Sequence, residues 1–258
     1  MLNVSNIKNA LNNINSEPFD HCIIDDFFEE EIANSLLQEF PEYNSNIWYS
    51  YENALEVNKS CNSWNAFPET TYKVFSYLNS DKFIKLVNSF NKQILISSDP
   101  GLNGGGWHIY PRGGKLNVHL DYSTHPKLKL QRKLNIIVYL NKGWEKDWGG
   151  GLGLYANKSK NEPGELVKSI KPKFNRAIIF DTTQNSWHGL PNEIECPIDK
   201  FRKSLAIYYL CEPPEKIDNR GKALFAPHGD QKQDKSVIEL IKKRAGIQTA
   251  HKAYRSKK

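Results

Sequence analysis

Cysteine is scarce in this 258-residue sequence and shows none of the close pairings that metal clusters use. The four cysteines lie far apart, without a C-x-x-C pair, at Cys22, Cys61, Cys196 and Cys211. Disulfide frameworks and cysteine-ligated zinc sites rely on several cysteines at short, regular spacing. The pattern therefore favours four unpaired thiols in a reducing compartment over either kind of site.

Long hydrophobic runs are also missing. No stretch approaches the roughly 20 consecutive apolar residues that a membrane-spanning helix needs. The first residues, MLNVSNIKNALNN, lack the apolar centre of a signal peptide. The sequence therefore predicts no membrane span, and we expect a cytoplasmic location.

The body of the chain lacks an excess of positive charge. The whole sequence carries a net charge of +6, but residues 231–258 hold nine Lys and Arg against two acids, a net of +7 that leaves the remainder at −1. A basic tail of this kind can contact nucleic acid or acidic partners, although most such runs are simply solvated. We therefore expect no nucleic-acid partner for the body, and the role of the tail stays open.

Two segments of the first hundred residues have the periodicity of helices with one buried face. EEEIANSLLQEF (29–40) and SDKFIKLVNSFN (80–91) place their apolar residues three and four positions apart. HCIIDDF (21–27), just before the first of them, is a short strand candidate. The N-terminal part is therefore predicted to supply a helical layer.

From Trp107 onward the pattern changes to short runs that are rich in β-branched and aromatic residues, separated by Gly, Pro, Asn and Lys. Such punctuated runs are typical of an antiparallel sandwich or barrel. The runs are LNVHLDY (116–122), LNIIVYL (134–140), GLGLYA (151–156), ELVKSI (165–170), RAIIF (176–180) and RKSLAIYYL (202–210). The sequence thus predicts a mainly β fold with a helical layer.

The organisation that follows is one domain and a tail. A hydrophobic content of 39% over this length can bury a sizeable core. We predict a single domain over residues 1–230, with the helical layer in 1–100 and the β core in 101–213. Residues 231–258 form the basic tail, in which SVIELIKKRAG predicts a short C-terminal helix.

A histidine and an aspartate stand two positions apart in GKLNVHLDYS, within one of the strand-like runs. In a strand, residues i and i+2 project to the same face, so His119 and Asp121 could bind one ion together. The pair alone proves little, because seven His and 29 acids predict about 0.8 such pairs by chance. A second pair, His228 and Asp230, lies in a polar stretch after Pro227, and we interpret it as a surface loop.

The third ligand of a possible metal site comes from RAIIFDTTQNSWHGLP (176–191). His188 follows a strongly apolar strand, next to Trp187. Two histidines and one carboxylate form a facial triad, which binds Fe(II) on one side and leaves the opposite positions open. The alternative, an ordinary loop histidine, stays open when His188 is considered alone.

Arg202 and Ser204 share one face of the last good strand, FRKSLAIYYL (201–210). An inward-facing arginine among apolar residues is costly unless a carboxylate meets it. The guanidinium group matches a carboxylate in bidentate fashion, which a lysine cannot do. The alternative phase, with Lys203 inward and Arg202 in solvent, is disfavoured because Lys203 can share the phase of the apolar Leu205 only if its ammonium group reaches back to solvent.

Taken together, these motifs resemble the 2-oxoglutarate- and Fe(II)-dependent dioxygenases, in particular the prolyl 4-hydroxylase-like branch. The similarity extends over about residues 107–210, and the N-terminal FDHCIIDDFFEEEIANSLLQEFP looks like the opening strand and helix of the family. The segments that carry it are YPRGGKLNVHLD, RKLNIIVYLNKGW, WGGGLGLY, IKPKFNRAIIFD and WHGLP.

The resemblance implies a double-stranded β-helix, that is, a jelly roll with iron at one open end. It implies that His119, Asp121 and His188 are the metal ligands. It also implies that Arg202 binds the distal carboxylate of the co-substrate 2-oxoglutarate, assisted by Tyr139. Further pocket members are expected to be Ser204, on the face of Arg202, and Tyr110.

The expected reaction uses O2 and 2-oxoglutarate to hydroxylate an unactivated C–H bond, with release of succinate and CO2 and with ascorbate as an expected reductant. The ligand Asp121 favours hydroxylation, because related halogenases lack this carboxylate. The resemblance makes a prolyl residue of a peptide or protein a plausible substrate, but similar proteins act on small molecules, so both classes stay open.

The substrate side is less defined by the sequence. Thirteen residues separate His188 from Arg202, more than in many relatives, and GGGLGLY has glycine where relatives often have a polar or acidic residue. NIWYSYENALEVNKSCNSW (46–64) has little periodicity and is a candidate lid over the site. Candidate residues of the substrate mouth are Trp107, His108, Tyr122, Arg132 and Trp187, although aromatic residues beside a strand are more often packing residues.

Two other functions remain alternatives. A non-enzymatic jelly-roll module could keep the β pattern with a vestigial metal site. Nothing would then require all five polar residues singled out above, which are His119, Asp121, His188, Arg202 and Ser204. Two His and one Asp can also bind Zn²⁺ for hydrolysis. Zinc catalysis, however, gives no reason for a buried Arg202.

Overall fold

A computed structural model describes residues 1–90, 94–159, 161–214, 222–246 and 249. Most of the helices lie in the N-terminal part, and one follows the β core. Within the described residues the α-helices are α1 (Val4–Asn12), α2 (Glu30–Gln38), α3 (Glu69–Leu78), α4 (Asp81–Val87) and α5 (Lys235–Ala245). Short 3-10 helices span Trp64–Ala66, Asn88–Phe90, Lys146–Trp148 and Gly229–Lys232.

The strands form two sheets. The larger sheet contains β1 (His21–Ile24), β2 (Tyr49–Glu52), β3 (Glu56–Cys61), β4 (Ile96–Ser98), β5 (Gly106–Tyr110), β6 (Lys115–Leu116), β8 (Gln131–Tyr139), β11 (Ala177–Asp181) and β13 (Arg202–Cys211). The smaller sheet contains β7 (His119–Leu120), β9 (Leu152–Ser159), β10 (Glu162–Ile170), β12 (His188–Gly189) and β14 (Leu224–Phe225).

Strand order shows how the sheets are built. In the larger sheet the order is β1-β11-β8-β13-β5-β3-β2, with β4 on β13 and β6 on β3, and the smaller sheet runs β10-β9-β12-β7-β14. All the pairings are antiparallel. The predicted mainly β, jelly-roll architecture with a helical layer is confirmed.

Side chains alternate between two environments along β5 and β13. Trp107 and Ile109 of β5 are fully buried in the main core, which also takes in residues of α1 to α4. His108 and Tyr110, one position out of phase, line an internal cavity instead. The same period of two places Leu205 of β13 in the core. The larger sheet therefore has one face toward the helical layer and one toward the cavity.

The sequence patterns predicted most elements in place. The helices expected at 29–40 and 80–91, the strand in 21–27 and the helix in SVIELIKKRAG are all confirmed, apart from Asn91, which lies outside the described residues. The four cysteines are buried and unpaired, as predicted. No described helix has the length and apolar character that a membrane crossing requires.

The predicted strand LNVHLDY (116–122) is wrong as one continuous element. It divides into β6, which pairs with β3 in the larger sheet, and β7, which pairs with β12 and β14 in the smaller sheet. Between them, the backbone amide of Asn117 donates to the Leu55 carbonyl. The chain therefore passes from one sheet to the other just before His119, which periodicity alone does not reveal.

The predicted lid at 46–64 is instead largely the hairpin β2–β3, paired with β5 through β3. Its side chains nevertheless border the cavity, at Tyr49, Tyr51, Glu56, Asn58, Ser60 and Asn62. The segment lacks a clear hydrophobic period because its inward face is polar and its partner strand supplies the pairing. It is a wall of the cavity rather than an irregular cover.

The C-terminal part packs on the β core. Val237 and Ile241 of α5 form a buried cluster with Leu55 and with Phe225 of β14. Residues 250–258 of the basic tail lie outside the described residues. The division of the chain at residue 230 stays a prediction, while α5 itself contributes to the packing beside the cavity.

Candidate metal centre and co-substrate pocket

Two histidines and an aspartate meet at the smaller sheet. His119 and His188 are register partners on β7 and β12, and Asp121 follows the end of β7. The Nε2 atom of His119 lies 3.7 Å from Oδ1 of Asp121, and the Nε2 atom of His188 lies 3.9 Å from Oδ2. One potential ligand atom from each residue lies within 4.8 Å of the others, and all three residues are buried.

Backbone carbonyls fix the direction of both imidazole rings. Nδ1 of His119 lies 2.9 Å from the Asn117 carbonyl oxygen, and Nδ1 of His188 lies 2.8 Å from that of Ser186. These contacts assign the proton of each neutral ring to Nδ1. Each Nε2 lone pair is therefore directed toward Asp121, which is the arrangement that metal-binding histidines use.

The charge states suit a divalent cation. Burial, together with the neighbouring His119, lowers the pKa of His188 to about 4, so its ring is neutral at neutral pH. Burial raises the pKa of the Asp121 carboxyl, but His119, His188 and Arg132 outweigh this and hold it below its usual value. Oδ2 of Asp121 is buried and has no hydrogen-bond partner among the described residues. The set fits Fe(II), which prefers two imidazoles and one carboxylate.

Arg132 supports the aspartate from the side. Its guanidinium carbon lies 3.4 Å from the ring centres of both Tyr122 and Tyr208, so it is held between two aromatic faces. Nη1 of Arg132 lies 3.8 Å from Oδ1 of Asp121, to which the Tyr208 hydroxyl donates at 3.3 Å. Nη2 of Arg132 also donates to the Asn103 carbonyl oxygen. These contacts orient the carboxylate.

Arg202 occupies the other part of the cavity. It is only 3% exposed, and its Nε donates to the Gly150 carbonyl oxygen at 2.7 Å. The rings of Tyr110 and Tyr139 lie 4.9 and 5.0 Å from its guanidinium carbon. Burial raises the pKa of both phenols, so they stay neutral, while the nearby Arg202 charge acts in the opposite direction. This is a buried cation that can receive a carboxylate.

Gly150 shapes this pocket. Its φ is +72°, and a Cβ at this position would lie 3.1 Å from Cδ of Arg202. A side chain here would therefore be strained and would crowd the arginine. The Gly150 carbonyl oxygen approaches Arg202 closely, which explains why this position of GGGLGLY is a glycine.

One cavity of about 470 Å³ joins these groups. It contains each proposed metal ligand and most of the other residues that the sequence singled out. The predicted residues that line it are His119, Asp121, His188, Arg202, Ser204, Tyr110, His108, Tyr122 and Arg132. Tyr139 lies against Arg202. The phase predicted for β13 is correct, because Arg202 and Ser204 face the cavity while Lys203 lies 5.2 Å from the Phe40 ring.

Residues 105–210 match the sequence profile of a family described as the 2OG-Fe(II) oxygenase superfamily. This range contains the three candidate ligands and Arg202. The match covers 106 of the 258 residues, so this part of the chain is similar to the 2OG-Fe(II) oxygenase superfamily. The family uses Fe(II) and 2-oxoglutarate, and the residues at the metal centre and around Arg202 fit both groups.

Two relatives share stretches of sequence with this chain. Prolyl 3-hydroxylase OGFOD1 of Xenopus laevis is 30% identical over 105 residues, which are 39% of this chain and 20% of that protein. Prolyl 3-hydroxylase OGFOD1 of Mus musculus is 35% identical over 57 residues, which are 22% of this chain and 10% of that protein. The chain therefore spans a fifth or less of the length of these relatives.

Solved structures share the fold of this chain. A prolyl hydroxylase from Trichoplax adhaerens, in complex with a peptide fragment of the hypoxia inducible factor oxygen degradation domain, has a TM-score of 0.56 at 21% identity, covering 80% of this chain and 88% of that one. A prolyl-4-hydroxylase from Pseudomonas putida has a TM-score of 0.56 at 13% identity, covering 80% and 99%. These similarities concern the fold.

For two of the five residues predicted at the substrate mouth, Trp107 and Trp187, the prediction is wrong. Trp107 is fully buried in the main core, between Phe40 and Phe67. Trp187 is fully buried in a separate apolar cluster with Val118, and its Nε1 donates to Asn157 Oδ1 at 3.3 Å. Each tryptophan directly precedes a histidine that faces the cavity. Because side chains alternate along a strand, the tryptophan is turned away from the cavity.

The sequence analysis missed several residues of the site. Tyr208 shares the face of Arg202 and Ser204 on β13, and that period could have revealed it. Phe225, Glu56 and Arg244 also border the cavity. No local pattern marks these three, because the strand, hairpin and helix that carry them come together only in the folded chain. His228 is not part of the cavity lining, as predicted, although β14 pairs with β7 just before it.

Proposed function

We propose that this protein is an Fe(II)- and 2-oxoglutarate-dependent dioxygenase that hydroxylates an unactivated C–H bond. The observation that carries the proposal is the placement of two inward Nε2 atoms, one carboxylate and a buried arginine in a single cavity. A histidine–aspartate cluster alone could bind several metals. A co-substrate with a free carboxylate accounts for Arg202 in the same cavity.

His119, Asp121 and His188 would hold the iron, and Arg202 would hold the distal carboxylate of 2-oxoglutarate. Tyr139, Tyr110 and Ser204 would complete the co-substrate pocket, since Tyr110 and Ser204 line the cavity and the Tyr139 ring lies beside the guanidinium. A charge-assisted bidentate contact at a desolvated site gives both affinity and orientation. The chain thereby fixes one end of the co-substrate and leaves the other end for the metal.

When bound, iron and 2-oxoglutarate supply the activation of O2, coupled to the release of succinate and CO2. The role of the protein is to orient the bound iron and 2-oxoglutarate and to exclude water from them. The ligands and Arg202 are all less than 10% exposed, which limits the access of solvent. The Nδ1 contacts of both histidines keep their Nε2 atoms available as ligands.

We further propose a prolyl residue of a peptide or protein as the substrate. Supporting it, the named relatives are prolyl 3-hydroxylases, and the Trichoplax adhaerens enzyme is described with a peptide. Tyrosine and asparagine side chains border the cavity, among them Tyr49, which is 50% exposed. Aromatic faces and amides suit an extended polypeptide with proline. The competing substrate class is a small molecule.

The test is a turnover assay with purified protein, Fe(II), ascorbate, 2-oxoglutarate and a panel of proline-containing peptides. We expect succinate formation that rises with an active peptide, which gains 16 Da by mass spectrometry. His119→Ala should abolish both signals, and the exposed His228→Ala should abolish neither. If wild-type protein binds no Fe(II) and forms no succinate, the oxygenase proposal is wrong. Succinate without any peptide product would support the oxygenase and count against the prolyl substrate.

A further inference from the structure

We propose that Phe225 and Arg244, which lie beyond the residues that match the family profile, are positioning residues of the metal centre. Phe225 would hold the ring of His119 in its ligand orientation, and Arg244 would hold Phe225. This inference rests on the proposed function, because it takes His119 as a metal ligand. It assigns a role at the site to the C-terminal segment.

Phe225 forms one side of the space that the His119 ring occupies. The two residues are register partners on β14 and β7. Their ring centres are 5.0 Å apart, with an angle of 25° between the planes, so the rings are stacked. The His188 ring lies 4.4 Å away. The His119 ring is therefore confined by Phe225 as well as by His188.

Asn117 connects β14 to the hydrogen bond that orients the ring. Its carbonyl oxygen is the partner of His119 Nδ1 at 2.9 Å. Its side-chain Nδ2 donates to the Ala226 carbonyl at 3.0 Å and to Oε1 of Gln231 at 2.6 Å. The Ala226 amide in turn donates to the Val118 carbonyl at 2.8 Å. A displacement of β14 would therefore also disturb the group that sets the direction of Nε2.

Arg244 contacts β14 from its position in the lining of the cavity. Its guanidinium carbon lies 5.0 Å from the centre of the Phe225 ring. Its Nη2 donates to Oε1 of Glu56 at 2.7 Å, and both side chains are less than 10% exposed. Glu56 belongs to β3, where its register partner is Leu116, three residues before His119. The ion pair thus ties α5 to the strand next to the ligand segment.

The expected effect on metal binding follows from the behaviour of groups that contact metal ligands. Such groups fix the orientation of a ligand ring, and their loss typically lowers metal affinity by about 10- to 100-fold. Removing one partner of a buried ion pair is worse than removing both, because the remaining charge is left buried. The two residues should therefore affect metal binding itself and not only the stability of the fold.

The experiment uses Co(II) as the probe, because its visible absorption reports on ligand geometry. In the full-length protein, Phe225→Leu should weaken Co(II) binding by about tenfold and change the visible bands, while Phe225→Tyr, which keeps the ring, should restore both. The matched control is Phe28→Leu, a fully buried phenylalanine of the main core. It should lower the melting temperature and leave Co(II) binding unchanged.

The ion pair supplies an independent test. Arg244→Gln should weaken Co(II) binding by about tenfold, and the double variant Glu56→Gln with Arg244→Gln should recover most of the loss, because no buried charge stays unpaired. If Phe225→Leu and Arg244→Gln bind Co(II) like the wild type while His119→Ala does not bind it, the inference is wrong and the proposed function stands. If His119→Ala also binds Co(II) normally, both fail.

Discussion

His119 and His188 lie opposite each other on neighbouring antiparallel strands, with ring centres 4.4 Å apart. This cross-strand relationship joins a local pair, His119 and Asp121, to a histidine 69 positions away along the chain. The three ligand atoms converge because the strands fix the rings from opposite sides. The site therefore exists only when the smaller sheet is formed.

Removing either histidine should abolish metal binding without unfolding the protein. His119→Ala and His188→Ala each delete one of three ligands at a polar site, so we expect loss of Co(II) or Fe(II) binding with a melting temperature close to that of the wild type. Equilibrium dialysis and thermal unfolding measure the two properties. His228→Ala, at the exposed N-cap of the 3-10 helix Gly229–Lys232, is the control and should keep metal binding. Equal losses from all three variants would contradict the assignment.

Replacing Arg202 should weaken the binding of 2-oxoglutarate and spare the metal. The loss of a buried charge-assisted contact is expected to cost about 2–5 kcal/mol in Arg202→Ala, with a partial recovery in Arg202→Lys, because a lysine lacks the bidentate geometry. The measurement is an anaerobic titration of 2-oxoglutarate into Mn(II)-loaded protein. Lys203→Ala, which faces away from the cavity, should bind normally; unchanged affinity in Arg202→Ala would remove the main reason for an oxygenase.

Arg132 should need its planar guanidinium, not only its charge. Arg132→Lys keeps a cation but cannot stack between the rings of Tyr122 and Tyr208. The Asp121 carboxylate should therefore be held less firmly in its orientation. We expect about a tenfold lower metal affinity in Arg132→Lys, as for other groups that orient a ligand. Lys129→Ala, on the exposed loop just before, is the control. A normal Co(II) affinity in Arg132→Lys would show that the stacking of Arg132 between Tyr122 and Tyr208 does not position the Asp121 carboxylate.

Trp107 should behave as a core residue. Trp107→Ala removes a fully buried side chain, so it should lower the free energy of unfolding by about 3–5 kcal/mol, as measured by urea denaturation. Where the variant is folded, its affinity for 2-oxoglutarate should be unchanged. A normal stability together with weaker substrate binding would instead favour the mouth position that the sequence suggested.

The metal-free protein should lose stability as the pH falls. Burial, assisted by the Arg202 charge, lowers the pKa of His108 to about 4, against an ordinary value of 6.5. Between these values the unfolded chain binds a proton that the folded state does not, so the free energy of unfolding decreases as the pH falls from 6.5 to 4. His108→Gln should reduce this slope in urea denaturation series, and His188, whose pKa is also lowered, accounts for a remainder. An identical slope in His108→Gln would contradict the shift.

Much of the fold could be predicted from the sequence. The period of apolar residues predicted the helices α2, α4 and α5, and the β-branched runs predicted most of the core strands. The sequence offered His119, Asp121, His188 and Arg202 as candidates, and the resemblance to a known family assigned their roles; the structure brings all four to one cavity. The cytoplasmic location, the use of ascorbate and the prolyl substrate stay predictions.

Only the tertiary structure decided which side chains share the cavity. Trp107 and His108 point to opposite faces of β5, but only the pairing of β5 with β3 and β13 decides which face is turned to the core and which to the cavity. Phe225 and Arg244 reach His119 through long-range pairing, which leaves no local pattern in the sequence. The sequence by itself determined the chemical groups and the periods of the elements, whereas the registers between distant strands determined which groups meet.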